Sequence, residues 1–69
     1  MTLKTTLAFL DAVDKIVICV EDGEPYILTT ADNVDGLDKD KIKEYLGHDV
    51  HFTKTIKNGS KNELYIYVY

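Results

Sequence analysis

From Asn62 to Tyr69 the chain reads Asn-Glu-Leu-Tyr-Ile-Tyr-Val-Tyr. Leu64, Ile66 and Val68 alternate with Tyr65, Tyr67 and Tyr69, the period-2 pattern of a strand with two chemically different faces. The aliphatic face has to be buried, whereas the phenols join a large apolar ring to a hydroxyl that tolerates water. The rest of the chain is expected to supply cover or neighbours for this strand. With 69 residues there is room for one domain and a small core, since such a chain hides only about 60% of the surface its unfolded form exposes.

The upstream elements read in order. Thr2 to Ala12 is expected to be a helix, because Leu3, Leu7 and Leu10 fall at i, i+4 and i+7, with Phe9 widening the stripe and Thr2 as N-cap. Lys15 to Val20 is a continuous β-branched run, as in a strand covered on both faces or placed centrally. Asp22-Gly23 suggests a two-residue hairpin turn, returning as Tyr26 to Thr30 with Ile18 facing Ile27 and Val17 facing Leu28. Pro25 puts that return strand at an edge. Ala31 to Gly36 is a polar connection. Asp38 is an expected N-cap with Leu37 and Ile42 as a hydrophobic staple, followed by a stripe of Ile42, Tyr45 and Leu46 ending at Gly47.

A third strand is expected from Asp49 to Lys57, with Val50, Phe52 and Ile56 on one face and His51, Thr53 and Thr55 on the other. Lys54 interrupts the apolar face and is expected to snorkel outward. A three-residue loop, Lys57 to Gly59, then pairs Phe52 with Leu64 and Val50 with Ile66, which keeps aliphatic side chains together. These elements define an α+β fold: a single two-layer domain over residues 1–69, order α-β-β-α-β-β, with a mostly antiparallel four-stranded sheet and both helices on one face.

The opening Leu-x-Phe-Leu-Asp-x-Val-Asp, the Asp-Gly hairpin and the closing Leu-Tyr-Ile-Tyr-Val resemble small uncharacterised proteins encoded by prophages and conjugative elements of Gram-positive bacteria. The resemblance implies no known activity and assigns no functional residue.

No catalytic or cofactor motif is present, so no enzyme activity and no cofactor are expected. His48, Asp49 and His51 place too few ligands on one face for a metal site. Cys19 lies inside an apolar strand, where an inert thiol is expected, and a single cysteine forms no disulfide within the chain and fits a reducing cytoplasm. Met1 to Val20 has neither the apolar length of a membrane span nor the charged start of a signal peptide, so no membrane association is expected. A net charge of −4 without a single arginine argues against direct nucleic-acid binding, which relies on basic surfaces and bidentate arginine contacts.

Two functions remain. The first is a protein-interaction module, self-associating or partner-binding, whose contact residues are Tyr65, Tyr67 and Tyr69 with His51 and Thr53 beside them. The second is an acidic decoy: Glu21 to Asp49 carries nine acids against Lys39, Lys41 and Lys43, a charge density with which a mobile-element protein occupies a basic nucleic-acid-binding site on another protein.

Overall fold

The computed structural model describes all residues from Met1 to Tyr69. Two short helices, α1 (Leu3–Ala8) and α2 (Lys39–Ile42), lie with one four-stranded sheet made of β1 (Lys15–Asp22), β2 (Glu24–Ala31), β3 (Val50–Asn58) and β4 (Lys61–Val68). The strand order is β2-β1-β4-β3. Both hairpins are antiparallel, and the central pair, β1 with β4, is parallel. The fold is thus the expected α+β domain with a mostly antiparallel sheet, closed through its middle by a parallel contact.

Ile16, Ile18 and Val20 of β1 stand opposite Leu64, Ile66 and Val68 of β4. These six side chains form one buried cluster with Leu3 and Leu7 of α1, and with Leu37 and Ile42 from the α2 segment. Both helices therefore cover the same sheet face. Burying each aliphatic side chain contributes about 1.5 to 3 kcal/mol, and with few other buried groups this cluster carries most of the stability.

The first helix is shorter than the leucine spacing suggests. It ends at Ala8, with Phe9 at its C-cap. Thr2 caps it as expected, its Oγ1 accepting from the Thr5 N–H at 3.3 Å. Thr5 and Thr6 are poor helix formers because their side chains are branched at Cβ, and the Thr6 hydroxyl donates to the Thr2 carbonyl at 3.0 Å. Leu10 and Val13 still pack against the core, from the connection rather than from the helix. Phe9 leaves the stripe altogether and is 82% exposed. Asp38 caps α2 as read, its Oδ1 accepting from the N–H groups of Asp40 and Lys41 at 3.1 and 3.3 Å, and the staple residues Leu37 and Ile42 are both buried. Tyr45 and Leu46 follow in a 3-10 turn and its end, half-buried against the same core.

Both hairpin registers differ from the expected ones. In the first, Asp22 partners Glu24 around Gly23 alone, and a bulge between Ile18 and Cys19 then places Ile18 opposite Thr29, Val17 opposite Thr30 and Cys19 opposite Ile27. The bulge lets Leu28 turn inward, where it is half-buried against the core, so its burial compensates the broken ladder. In the second hairpin the loop is Gly59-Ser60, with Asn58 opposite Lys61. Gly59 has φ +66° and is the only positive-φ residue of that loop, the requirement of a type II′ turn with glycine at its first central position. Phe52 consequently lies opposite Tyr67 rather than Leu64, Thr53 opposite Ile66, and a bulge at His51 returns Val50 to the core side opposite Val68.

Candidate functional site

The sheet face away from the helices is built in rows across the four strands. Ile27, Cys19, Tyr67 and Phe52 form one row, and Thr30, Val17, Tyr65 and Lys54 form the next. Below them Lys15 and Glu63 lead to Ile56 on β3. At the opposite end Glu21 reaches His51, whose Nδ1–H donates to Glu21 Oε2 at 2.8 Å. Among the expected contact residues, Tyr65, Tyr67, Tyr69 and His51 are brought together here.

Thr53 is not. Its register partner is Ile66, and it lines a hollow with Thr6, Phe9, Leu10 and Leu64 on the helix side of the sheet. The cause is the Gly59-Ser60 turn, which moves β3 by an odd number of positions relative to the expected register and so exchanges its two faces. Phe52, Lys54 and Ile56, expected on the aliphatic side, thereby join the tyrosines. The sequence carried one signal of this: a lysine between Phe52 and Ile56 suits a face that meets water better than a core.

The rings are locked together. Phe52 and Tyr67 stack at 4.4 Å between centroids with planes 13° apart, and His51 stacks on Tyr69 at 4.9 Å. Lys54 Nζ lies 5.8 Å from the Tyr65 ring centre and 5.6 Å from that of Tyr67. Such aromatic and cation–ring contacts each contribute about 0.5 to 1.5 kcal/mol. Under this layer Val17 and Cys19 are buried although no helix covers them. Burial pushes the Cys19 thiol above its usual pKa, against the weaker opposing effects of the Tyr67 hydroxyl and the Lys54 charge. Cys19 is thus the buried thiol that the sequence suggests, in a setting opposite to the one that lowers the pKa of nucleophilic cysteines.

At the flanks the layer is open. Ile27 is 59% exposed, Phe52 42% and Ile56 38%. All three face the same way as the tyrosines, from both edge strands.

The two histidines serve the β3 and β4 ends rather than a common ligand. His48 Nδ1–H donates to the Tyr69 carbonyl at 2.7 Å, and His51 is held by Glu21. No group of three or more histidine, cysteine or carboxylate side chains gathers in a metal-holding arrangement. On the helix side the Tyr26 and Tyr45 hydroxyls meet at 3.3 Å, and this bond, with some desolvation, holds the Tyr45 phenol above its usual pKa. No helix is long and apolar enough to cross a membrane.

No protein-family model matches the chain, and neither curated proteins nor solved structures give a match.

Proposed function

We propose that this chain is a non-enzymatic protein-interaction module that binds protein, a second copy or a foreign partner, through the open sheet face. One observation carries the reading: Ile27, Phe52 and Ile56 are large, apolar and exposed on the uncovered face that holds Tyr65 and Tyr67. Apolar side chains gathered on one face in this way mark contact surfaces, and aromatic residues dominate the energetics of such contacts. The stacked rings add preorganisation, because little side-chain freedom remains to be lost on binding. The lone buried thiol supports a cytoplasmic setting. The resemblance to mobile-element proteins favours a partner supplied by the host cell.

The acidic-decoy reading has less support from the placement of the acids. Asp38, Asp40 and Glu44 are interleaved with Lys39, Lys41 and Lys43 over a few residues, which breaks up a phosphate-like array, and the Lys39 ammonium is turned onto the Val34 carbonyl at 2.8 Å.

The test replaces Tyr65 and Tyr67 together with serine and compares the variant with the wild type in sedimentation across concentration, and as immobilised bait for host-cell extract at low and high salt. The proposal expects associations that survive high salt in the wild type and are lost in the folded variant. The absence of any association that depends on these two tyrosines overturns it, and a steep loss with salt alone transfers the function to the acidic segment.

A further inference from the structure

The outer edge of β3 already accepts a strand over part of its length. Thr2 bridges Asp49 in antiparallel fashion, with the Leu3 N–H donating to the His48 carbonyl at 2.9 Å and the Val50 N–H donating to the Met1 carbonyl at 2.7 Å. The chain then turns away into α1, and the edge continues bare. Asn58 and Lys61 flank a two-residue loop and so exchange both backbone bonds; alternation from that pair leaves the N–H and C=O groups of Thr53, Thr55 and Lys57 pointing away from β4. Beside this edge, on the helix side, lies a hollow of about 420 Å³ lined by Met1, Phe9, Leu10, Leu64, Thr53 and Thr55. The hollow is partly open to solvent, and Phe9 in its lining is 82% exposed.

The other edge of the sheet is blunted. On β2, Pro25 has no N–H to donate, and the bulge opposite Ile18 and Cys19 breaks the ladder. A β3 edge that meets a second copy therefore finds only the other β3 edge as a regular partner, and two identical edges related by a two-fold axis close on themselves instead of growing into a filament.

We infer that this chain forms a two-fold dimer by antiparallel pairing of the free β3 edges of two copies, with Thr55 on the axis. This surface is separate from the open face proposed above, and the two inferences stand or fall independently. Side-chain chemistry selects the register. An axis at Lys54 sets the two Lys54 ammonium groups directly opposite each other, which is destabilising. An axis at Thr53 drives Ile56 and Lys57 of one copy onto the edge of Asp49 and Val50, which Met1 and Thr2 occupy. With Thr55 on the axis, Thr55 exchanges both backbone bonds with its own copy and Thr53 exchanges them with Lys57 of the second copy. Thr55 meets Thr55, a favourable cross-strand pair, and the Lys54 stem lies along Ile56. The added strand lies beside the hollow, whose lining includes Thr53 and Thr55 of the paired edge.

The experiment is sedimentation equilibrium of four chains: wild type, Thr55→Lys, Thr55→Asp, and the double variant Tyr65→Ser/Tyr67→Ser. Thr55 is exposed and its backbone groups face outward, so each substitution at this position should leave the monomer folded, as circular dichroism checks. The inference expects a concentration-dependent dimer for the wild type, retained by the tyrosine variant. It expects Thr55→Lys and Thr55→Asp each to weaken self-association at least about tenfold through like charges on the axis, and an equimolar mixture of the two to recover it. A wild type monomeric up to about millimolar concentration overturns the inference, as does a dimer that survives Thr55→Lys, or a mixture that does not recover. A dimer lost in the tyrosine variant alone overturns it too and assigns self-association to the open face.

Discussion

Asp14 and Asn62 hold the starts of the two central strands side by side: the Asn62 N–H donates to Asp14 Oδ2 at 2.7 Å, and the Asp14 N–H donates to the Asn62 carbonyl at 3.0 Å. The next residues along, Lys15 and Glu63, are the first partners of the parallel ladder. The pair thus sets the register in which Ile16 meets Leu64. Replacing Asp14 with alanine removes one charged bond and loosens the other, and should cost about 1 to 2 kcal/mol, the lower range for a bond to a charged group because the site is exposed. Asn at the same position keeps an accepting oxygen and should cost less. Urea unfolding midpoints of the two variants check the order.

Ile66 is fully buried between β1 and β3 beneath both helices. Truncation to alanine leaves a void that the surrounding strands cannot close, with a cost of about 2 to 5 kcal/mol. A domain of this size has a total margin of about 5 to 15 kcal/mol, so the variant should melt far below the wild type in calorimetry or not fold at all. A shift of only a few degrees would mean that the core lies elsewhere.

The II′ turn makes Gly59 irreplaceable by an ordinary residue. Gly59→Ala should destabilise by about 1 to 2 kcal/mol, since an L side chain at that positive φ meets the following carbonyl. Ser60→Ala should be nearly neutral. Cross-strand proton contacts in solution should join the α-protons of Thr53 and Ile66 and of Thr55 and Leu64, not those of Phe52 and Leu64.

Stability should fall on the alkaline side, and Cys19 is the first cause. Its thiol pKa is raised in the fold, so the folded chain keeps a proton that the unfolded chain loses near about pH 8.5. The thiol's contribution is complete below that pH and declines as pH rises beyond it. Tyr45, raised through its bond to Tyr26, extends the decline above about pH 10. Cys19→Ala should flatten the first stretch and leave the second, which denaturant midpoints measured from neutral to alkaline pH will show.

Much of this architecture was legible in local patterns because local physics decides it. The β4 alternation specified a core face and a tyrosine face, the β-branched run specified a strand buried on both sides, and Asp38 with Leu37 and Ile42 specified a helix entry. What stayed illegible was relational. The parallel contact of β1 with β4 leaves no mark in either strand alone. The β3 register hinged on whether Lys57 to Gly59 or Gly59-Ser60 forms the loop, and the change from three loop residues to two exchanges the faces of Phe52, Thr53, Lys54, Thr55 and Ile56. His51 escaped that reversal only because a bulge sits at its position. The face of each candidate residue was therefore legible where it rested on β4 and misplaced at Thr53, where it rested on a turn.

The order β2-β1-β4-β3 also has a kinetic side. Each hairpin zips locally, yet neither holds a complete core, because Ile16, Ile18 and Val20 belong to one and Leu64, Ile66 and Val68 to the other. The two meet only when a loop of roughly fifty residues closes between Lys15 and Glu63, at an entropic cost of about 3 kcal/mol before any central ladder bond forms. Folding is thereby forced into a single late docking event. Until it happens the β-branched run of β1 waits with one edge unpaired, and during synthesis that interval lasts until β4 has left the ribosome: a window in which a chaperone, a protease or a neighbouring nascent chain competes for the same edge.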